Sequence, residues 1–247
     1  MENEYDDSLT RTKDDEKLIE KEVLFLPWVG KNYSYGIGYN KEGILFYGDE
    51  NHKGKKILAL GEYNHWSTNE ETCGHDGECF NGCKGLDKCS QITRHAVCDH
   101  LNINVSRKKW MNAYTKFERS LIGSETTWDD SSKIWDHIML YNYLQVPFSH
   151  ARMNPKNEDY KEFKEQFFYV LKIFKPDYII ACGHRLYNFL PDSCWSEGDK
   201  LKIDGETIKN GSYKLENNNE FKMYAVLNPS AGYSWDHWNK VIKSIIK

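Results

Sequence analysis

Four short apolar runs constrain the fold of this chain more than anything else in it. They are Ile57–Leu60 in KKILALGE, a run in IWDHIMLYNYLQVP ending near Asn142, Tyr178–Cys182 in KPDYIIACGHR, and Met223–Leu227 in FKMYAVLNPS. Continuous apolar character over so few residues is the pattern of a strand buried on both faces. Between the runs the spacing changes. Phe163, Phe167, Val170, Leu171 and Phe174 recur at helical intervals within Tyr160–Phe174, as do Trp110, Tyr114, Phe117 and Leu121 earlier, and WDHWNKVIKSIIK predicts a final helix. Buried strands alternating with amphipathic helices predict a three-layer α/β/α domain with a mostly parallel central sheet. Gly183 and Pro191 bracket a short helix, GILFYG reads as a further strand, and polar, turn-rich residues 196–220 read as a hairpin insertion or mobile loop.

The chain has 247 residues, of which 39% are hydrophobic, enough for one sizeable core. The domain is therefore expected to span 22–247. Residues 1–21, rich in Asp, Glu and Lys, are expected to be a solvated extension. No apolar run approaches the roughly 20 residues of a membrane span, and MENEYDDSLTRTKDDEK is charged where a signal peptide is apolar. The expectation is a soluble cytoplasmic protein without membrane contact. A net charge of −4 disfavours a strongly basic nucleic-acid coat, while SRKKW (Ser106–Trp110) and Arg152 are local candidates for phosphate contacts. Neither a Gly-x-Ser-x-Gly elbow nor a Walker loop occurs.

Of seven cysteines, five crowd between Cys73 and Cys98, which suits a reducing compartment better than a disulfide framework. Cys73, Cys79, Cys83 and Cys89 lie in a glycine-rich insertion at 72–100, where four thiolates would wrap a tetrahedral zinc, ahead of an iron-sulfur cluster. A metal-free reading stays open, because the spacing is not the close pairing of common zinc modules. A zinc deaminase is disfavoured, since its His-x-Glu and Pro-Cys-x-x-Cys signature is absent.

Ligands of parallel α/β sheets bind outside the carboxyl ends of the strands. Here those ends read Gly61-Glu62-Tyr63-Asn64-His65, Asn142, Gly183-His184 and Asn228-Pro229-Ser230. Pro229 has no amide proton and must end its strand. Taken singly, each could be a plain turn or a local cap. As a set they assemble a carboxylate, several side-chain amides and aromatic rings at one edge.

In these residues the chain, from about Lys55 to Lys247, resembles a divergent branch of the uracil-DNA glycosylase superfamily. LGEYNHW (Leu60–Trp66) is similar to the first family motif, although the Pro usually found next is missing, so both Glu62 and Asn64 are candidates for positioning water. Asn142 in LYNYLQVP matches the base-reading Asn, KPDYIIACGHRLYNFL is similar to the helix-strand-Gly-helix before the last motif, and Asn228-Pro229-Ser230-Ala231-Gly232 is similar to the final loop. The resemblance implies a DNA glycosylase-like enzyme that flips and releases uracil or another modified base, in base-excision repair or in defence against foreign DNA. It implies that Glu62, Asn64 and Asn228 are catalytic, that Tyr63, His65, Trp66 and Asn142 bind the base, and that Gly183, His184, Pro229 and Ser230 meet the DNA backbone. The alternatives are a nucleoside or nucleotide hydrolase, and a non-catalytic module that binds nucleic acid or a protein partner.

Overall fold

A computed structural model of the protein describes residues 12–65, 90–148, 155–215 and 219–246. In chain order the first elements are α1 (Asp15–Glu20), β1 (Trp28–Val29), β2 (Ile37–Tyr39), β3 (Leu45–Tyr47), β4 (Ile57–His65), α2 (Ile92–Leu101), α3 (Met111–Ile122) and α4 (Trp128–His137). There follow β5 (Met139–Phe148), α5 (Asn157–Glu162), α6 (Lys164–Phe174), β6 (Tyr178–Cys182) and α7 (His184–Phe189). The chain ends with β7 (Trp195–Glu197), β8 (Leu201–Ile203), β9 (Glu206–Ile208), β10 (Asn210–Leu215), β11 (Asn219–Val226) and α8 (Trp235–Ile245).

The main sheet has seven strands in the order β1-β5-β4-β6-β11-β10-β7. Its centre, β5-β4-β6-β11, is parallel, and β1, β10 and β7 add to it antiparallel. These four central strands grow from the four apolar runs. Because successive side chains point to opposite faces, each run feeds two cores. Leu58, Leu60, Met139, Tyr141, Ile179 and Ala181 pack on one face with Phe167, Val170 and Leu171 of α6 and Leu186 of α7. Ile57, Ala59, Leu140, Tyr178 and Ile180 pack on the other with Val97 of α2, Phe117 of α3, Trp135 of α4 and Trp238 of α8. Helices thus cover both faces of a mixed α/β domain. Among the described residues, no helix is long and apolar enough to cross a membrane.

Several boundaries differ from expectation. β4 and β5 run on past Gly61 and Asn142 to His65 and Phe148, carrying the polar tip residues inside paired strand rather than in a loop. Between the pairs Tyr63↔Leu144 and His65↔Phe148 the register shifts, so that Asn64 faces Gln145, Val146 and Pro147. The helical stretch from Tyr160 breaks at Phe163 into α5 and α6. Among the described residues of 196–220, β10 and part of β7 belong to the main sheet, and β8–β9 forms a separate hairpin, so this stretch is not a free insertion there. The reading of 1–21 as a solvated extension is corrected for its described part. Leu18 of α1 is fully buried, and Asp15 meets Arg94 of α2, because an apolar residue inside the charged run finds the core beside α6.

Candidate functional site

The strand order reverses direction at β4: β5, next in sequence among the parallel strands, lies on one side of it, and β6 lies on the other. Such a switch point opens a crevice at the carboxyl ends. Glu62 stands there, one residue beyond the glycine that ends the apolar run. Its parity matches Leu58 and Leu60, so it points toward the face covered by α5 and α7 and is buried. Arg185, from the first turn of α7, grips it with both ends of its fork, Nε to Oε1 at 2.8 Å and Nη2 to Oε2 at 2.5 Å. The Tyr160 hydroxyl donates to the same Oε1. The Glu62 hydrogen bond raises the Arg185 pKa, and burial followed by the hydrogen bond to Glu62 raises that of Tyr160. Arg185 therefore stays cationic and the Tyr160 hydroxyl keeps its proton at neutral pH, as donors to Glu62. Glu62 is accordingly a paired charge, held rigidly, and not an open carboxylate.

A second group joins β4 to β5. Asn142 Nδ2 donates to Asn64 Oδ1 at 2.8 Å, and the Asn64 amide also lies 3.3 to 3.4 Å from the hydroxyl of Thr93 on α2. Gly61 is the register partner of Asn142, and the Asn142 amide folds over it. A Cβ on Gly61 would sit 2.0 Å from Asn142 Oδ1, so no other residue leaves room for this arrangement. Behind it the buried Gln145 donates to the Asn142 carbonyl at 2.7 Å and accepts from the Phe25 amide at 2.8 Å. The half-buried Asn142 side chain keeps one N–H and its Oδ1 for other partners.

The third group lies at the ends of β6 and β11. Asn228 Oδ1 accepts from the Ser230 amide at 2.9 Å and its hydroxyl at 2.8 Å, and Ala231 N–H closes the turn on the Asn228 carbonyl. Pro229 is buried and Ser230 exposed. Gly183, at φ +135°, carries the chain from β6 into α7 and abuts Asn228, whose Cβ would be 3.8 Å from a Cβ added there. His184 is half-buried at the start of α7. Tyr63 is half-buried against the first core and interacts electrostatically with Arg185.

The structure thus joins Glu62 to α5 and α7, Asn64 to Asn142, and Gly183 to Asn228. It gives no direct bond between Glu62 and Asn228. The His65 side chain, Trp66, Arg152 and the candidate metal ligands Cys73, Cys79, Cys83 and Cys89 lie outside the described residues. Among those that are described, no group of three or more His, Cys, Asp or Glu is placed to hold a metal. In SRKKW, Arg107 is engaged by His100 and Thr115, and Lys108 by Asp99.

Sequence reasoning missed Arg185, Tyr160, Thr93 and Gln145. Arg185 lies two residues past Gly183 in a segment already singled out, so a search for a cation to balance Glu62 would have reached it. Tyr160 offered no such signal, since its bond to Glu62 spans 98 residues. No protein-family model matches the chain, and no curated protein matches it.

Chemically, the edge offers an amide with a donor and an acceptor, an aromatic ring in Tyr63, and a carboxylate neutralised by a guanidinium. It also offers a turn whose Ser230 is exposed. These suit a polar, planar ligand better than an apolar one.

Proposed function

We propose that this protein is a DNA glycosylase-like enzyme of uracil-DNA glycosylase type, which hydrolyses the bond between deoxyribose and uracil or another modified base. The observation that carries the reading is that Asn64, Asn142 and the Asn228–Ser230 turn lie at or just beyond the level where β6 and β11 end, with Glu62 beside them on the opposite face of β4. In this reading Asn142 pairs with the edge of an extruded base, and Tyr63 stacks on it. The Asn64 amide orients the attacking water. Glu62 supplies the negative charge that favours a positively charged sugar, and Arg185 fixes its position. Asn228 and Ser230 hold the sugar-phosphate, and His184 and Gly183 border it.

The bidentate grip of Arg185 on Glu62 favours a second reading, because a neutralised carboxylate contributes less to charge stabilisation. In that reading the protein binds nucleic acid without cleaving it. One experiment separates the two. DNAs carrying uracil, deaminated, alkylated or hypermodified bases are incubated with the protein, and free base and abasic sites are measured by mass spectrometry. The glycosylase reading expects release of one base, reduced about 100-fold or more by Glu62→Gln and by Asn142→Ala in proteins that still fold. Salt-sensitive binding without release would support the reader. No binding and no release from any of these DNAs would overturn both.

A further inference from the structure

A cavity of about 360 Å³ opens between α7 and the antiparallel edge of the sheet, lined by none of the strand-tip residues described above. Its walls include Tyr187, Trp195 and Tyr213, with Asp192, Glu197 and Lys209 around them. The proposed function uses none of these residues.

The aromatic walls are set by the sheet. Trp195 and Tyr213 are register partners on β7 and β10, with ring centroids 5.0 Å apart. Two residues before Tyr213, on the same face of β10, stands Gly211, and the Trp195 indole lies over it. A Cβ there would come within 2.1 Å of the indole Cζ2, so glycine is what lets the ring lie down on the strand. Tyr187 of α7 stands against Trp195 at an interplanar angle of 85° with centroids 5.7 Å apart. The two rings form a corner.

The charges around this corner are unbalanced. Lys209 Nζ is held by Asn188 Oδ1 at 2.8 Å. Among the described residues, neither Asp192 nor Glu197 has a cationic side chain within ion-pair distance. The Tyr187 hydroxyl is buried without a hydrogen-bond partner. Burial, and after it the Glu197 charge, pushes this phenol up, so that it stays protonated.

We propose that this cavity binds an organic ammonium ion, with the alkylated cation seated in the Trp195–Tyr187 corner and Asp192 and Glu197 supplying the opposing charge. The faces of aromatic rings attract a cation through their quadrupole, and tryptophan does so best. A weakly hydrated alkylammonium sheds its water more cheaply than a compact inorganic ion, and rings offer no ligand atoms to a metal. The site stands apart from the glycosylase reading and does not depend on it.

The test is a titration of the full chain with tetramethylammonium, followed by the NMR signal of the Trp195 indole N–H, assigned by its loss in Trp195→Phe. Neopentyl alcohol, similar in shape and uncharged, is the comparison. A saturable shift with the cation, about tenfold weaker with the alcohol, is expected. Asp192 and Glu197 are exposed, so Asp192→Asn with Glu197→Gln should fold normally and weaken cation binding severalfold. An unsaturable response, equal binding of the alcohol, or unchanged binding in the doubly neutralised protein would overturn the proposal.

Discussion

Glu118 illustrates how a single side chain can be forced into an apolar core and still keep its charge. It has no exposed surface, yet it accepts from Trp135 Nε1 at 2.6 Å and Ser131 Oγ at 2.7 Å, and lies 2.5 Å from His100 Nε2. Arg107 Nη1 lies 3.1 Å from the other His100 nitrogen, and a guanidinium can only donate. His100 Nδ1 must then be the acceptor, and its Nε2–H points at Glu118. Burial pushes the Glu118 carboxyl up, but these donors, His100 foremost, more than offset it and leave it below the usual range. A carboxyl depressed in the folded state stabilises the protein fully above its unfolded pKa, and that contribution fades as pH falls through the folded value. Glu118→Gln is therefore expected to cost about 2–4 kcal/mol at pH 7. Urea titrations should show the gap from the parent narrowing as pH falls from about 5 toward 3. An equal gap at both ends would locate the cost in packing instead. Little of this was legible in MNAYTKFERSLI, where Glu118 sits among polar neighbours and its partners lie on two other helices. Glu62 and Asn142 were legible for the opposite reason: a polar residue directly after a doubly buried run marks where the apolar part of a strand stops, although both strands continue past it.

At the scale of elements, the docking of α1 rests on one buried guanidinium. Arg94 reaches both oxygens of Asp15 at 2.7 and 2.8 Å, the Pro27 carbonyl at 2.9 Å and Gln91 Oε1 at 3.0 Å, with no exposed surface of its own. It ties α1, the segment before β1 and α2 into one unit. Arg94→Ala removes every one of these bonds and leaves Asp15 uncompensated, at an expected cost of about 3–5 kcal/mol. Hydrogen exchange should show α1 amides losing protection well before those of β6. Protection unchanged in α1 would mean that Leu18 alone suffices to seat the helix. Elements were read from the sequence in proportion to how local their cause is. Tyr178–Cys182 was found at its true limits because burial on both faces writes itself into five consecutive residues. Strand β10 was missed because NGSYKL carries glycine, serine and asparagine, yet pairs along its length with β11. The break at Phe163 was missed because the apolar spacing runs through it unchanged. The extension of β4 beyond Gly61 was invisible because its polar residues are satisfied by partners 29, 78 and 98 positions away.

For the whole molecule, the governing fact is that one sheet separates two cores. Neither layer of helices can leave without exposing a face of β4, β5 and β6, so both should unfold together. Phe167→Ala on one face and Ile180→Ala on the other are each expected to lower stability by about 2–5 kcal/mol. In urea, fluorescence and far-ultraviolet dichroism should still give one coincident transition, with an unchanged denaturant slope. Separate midpoints for the two probes would show that one layer melts alone. The same sheet has another property in its margins. Of its seven strands the two outermost are also among the shortest, two residues in β1 and three in β7, while the long strands all lie inside. A stub presents few open amides and carbonyls to a neighbour, so a sheet trimmed in this way discourages edge-to-edge stacking between copies and resists fibril growth in concentrated solution.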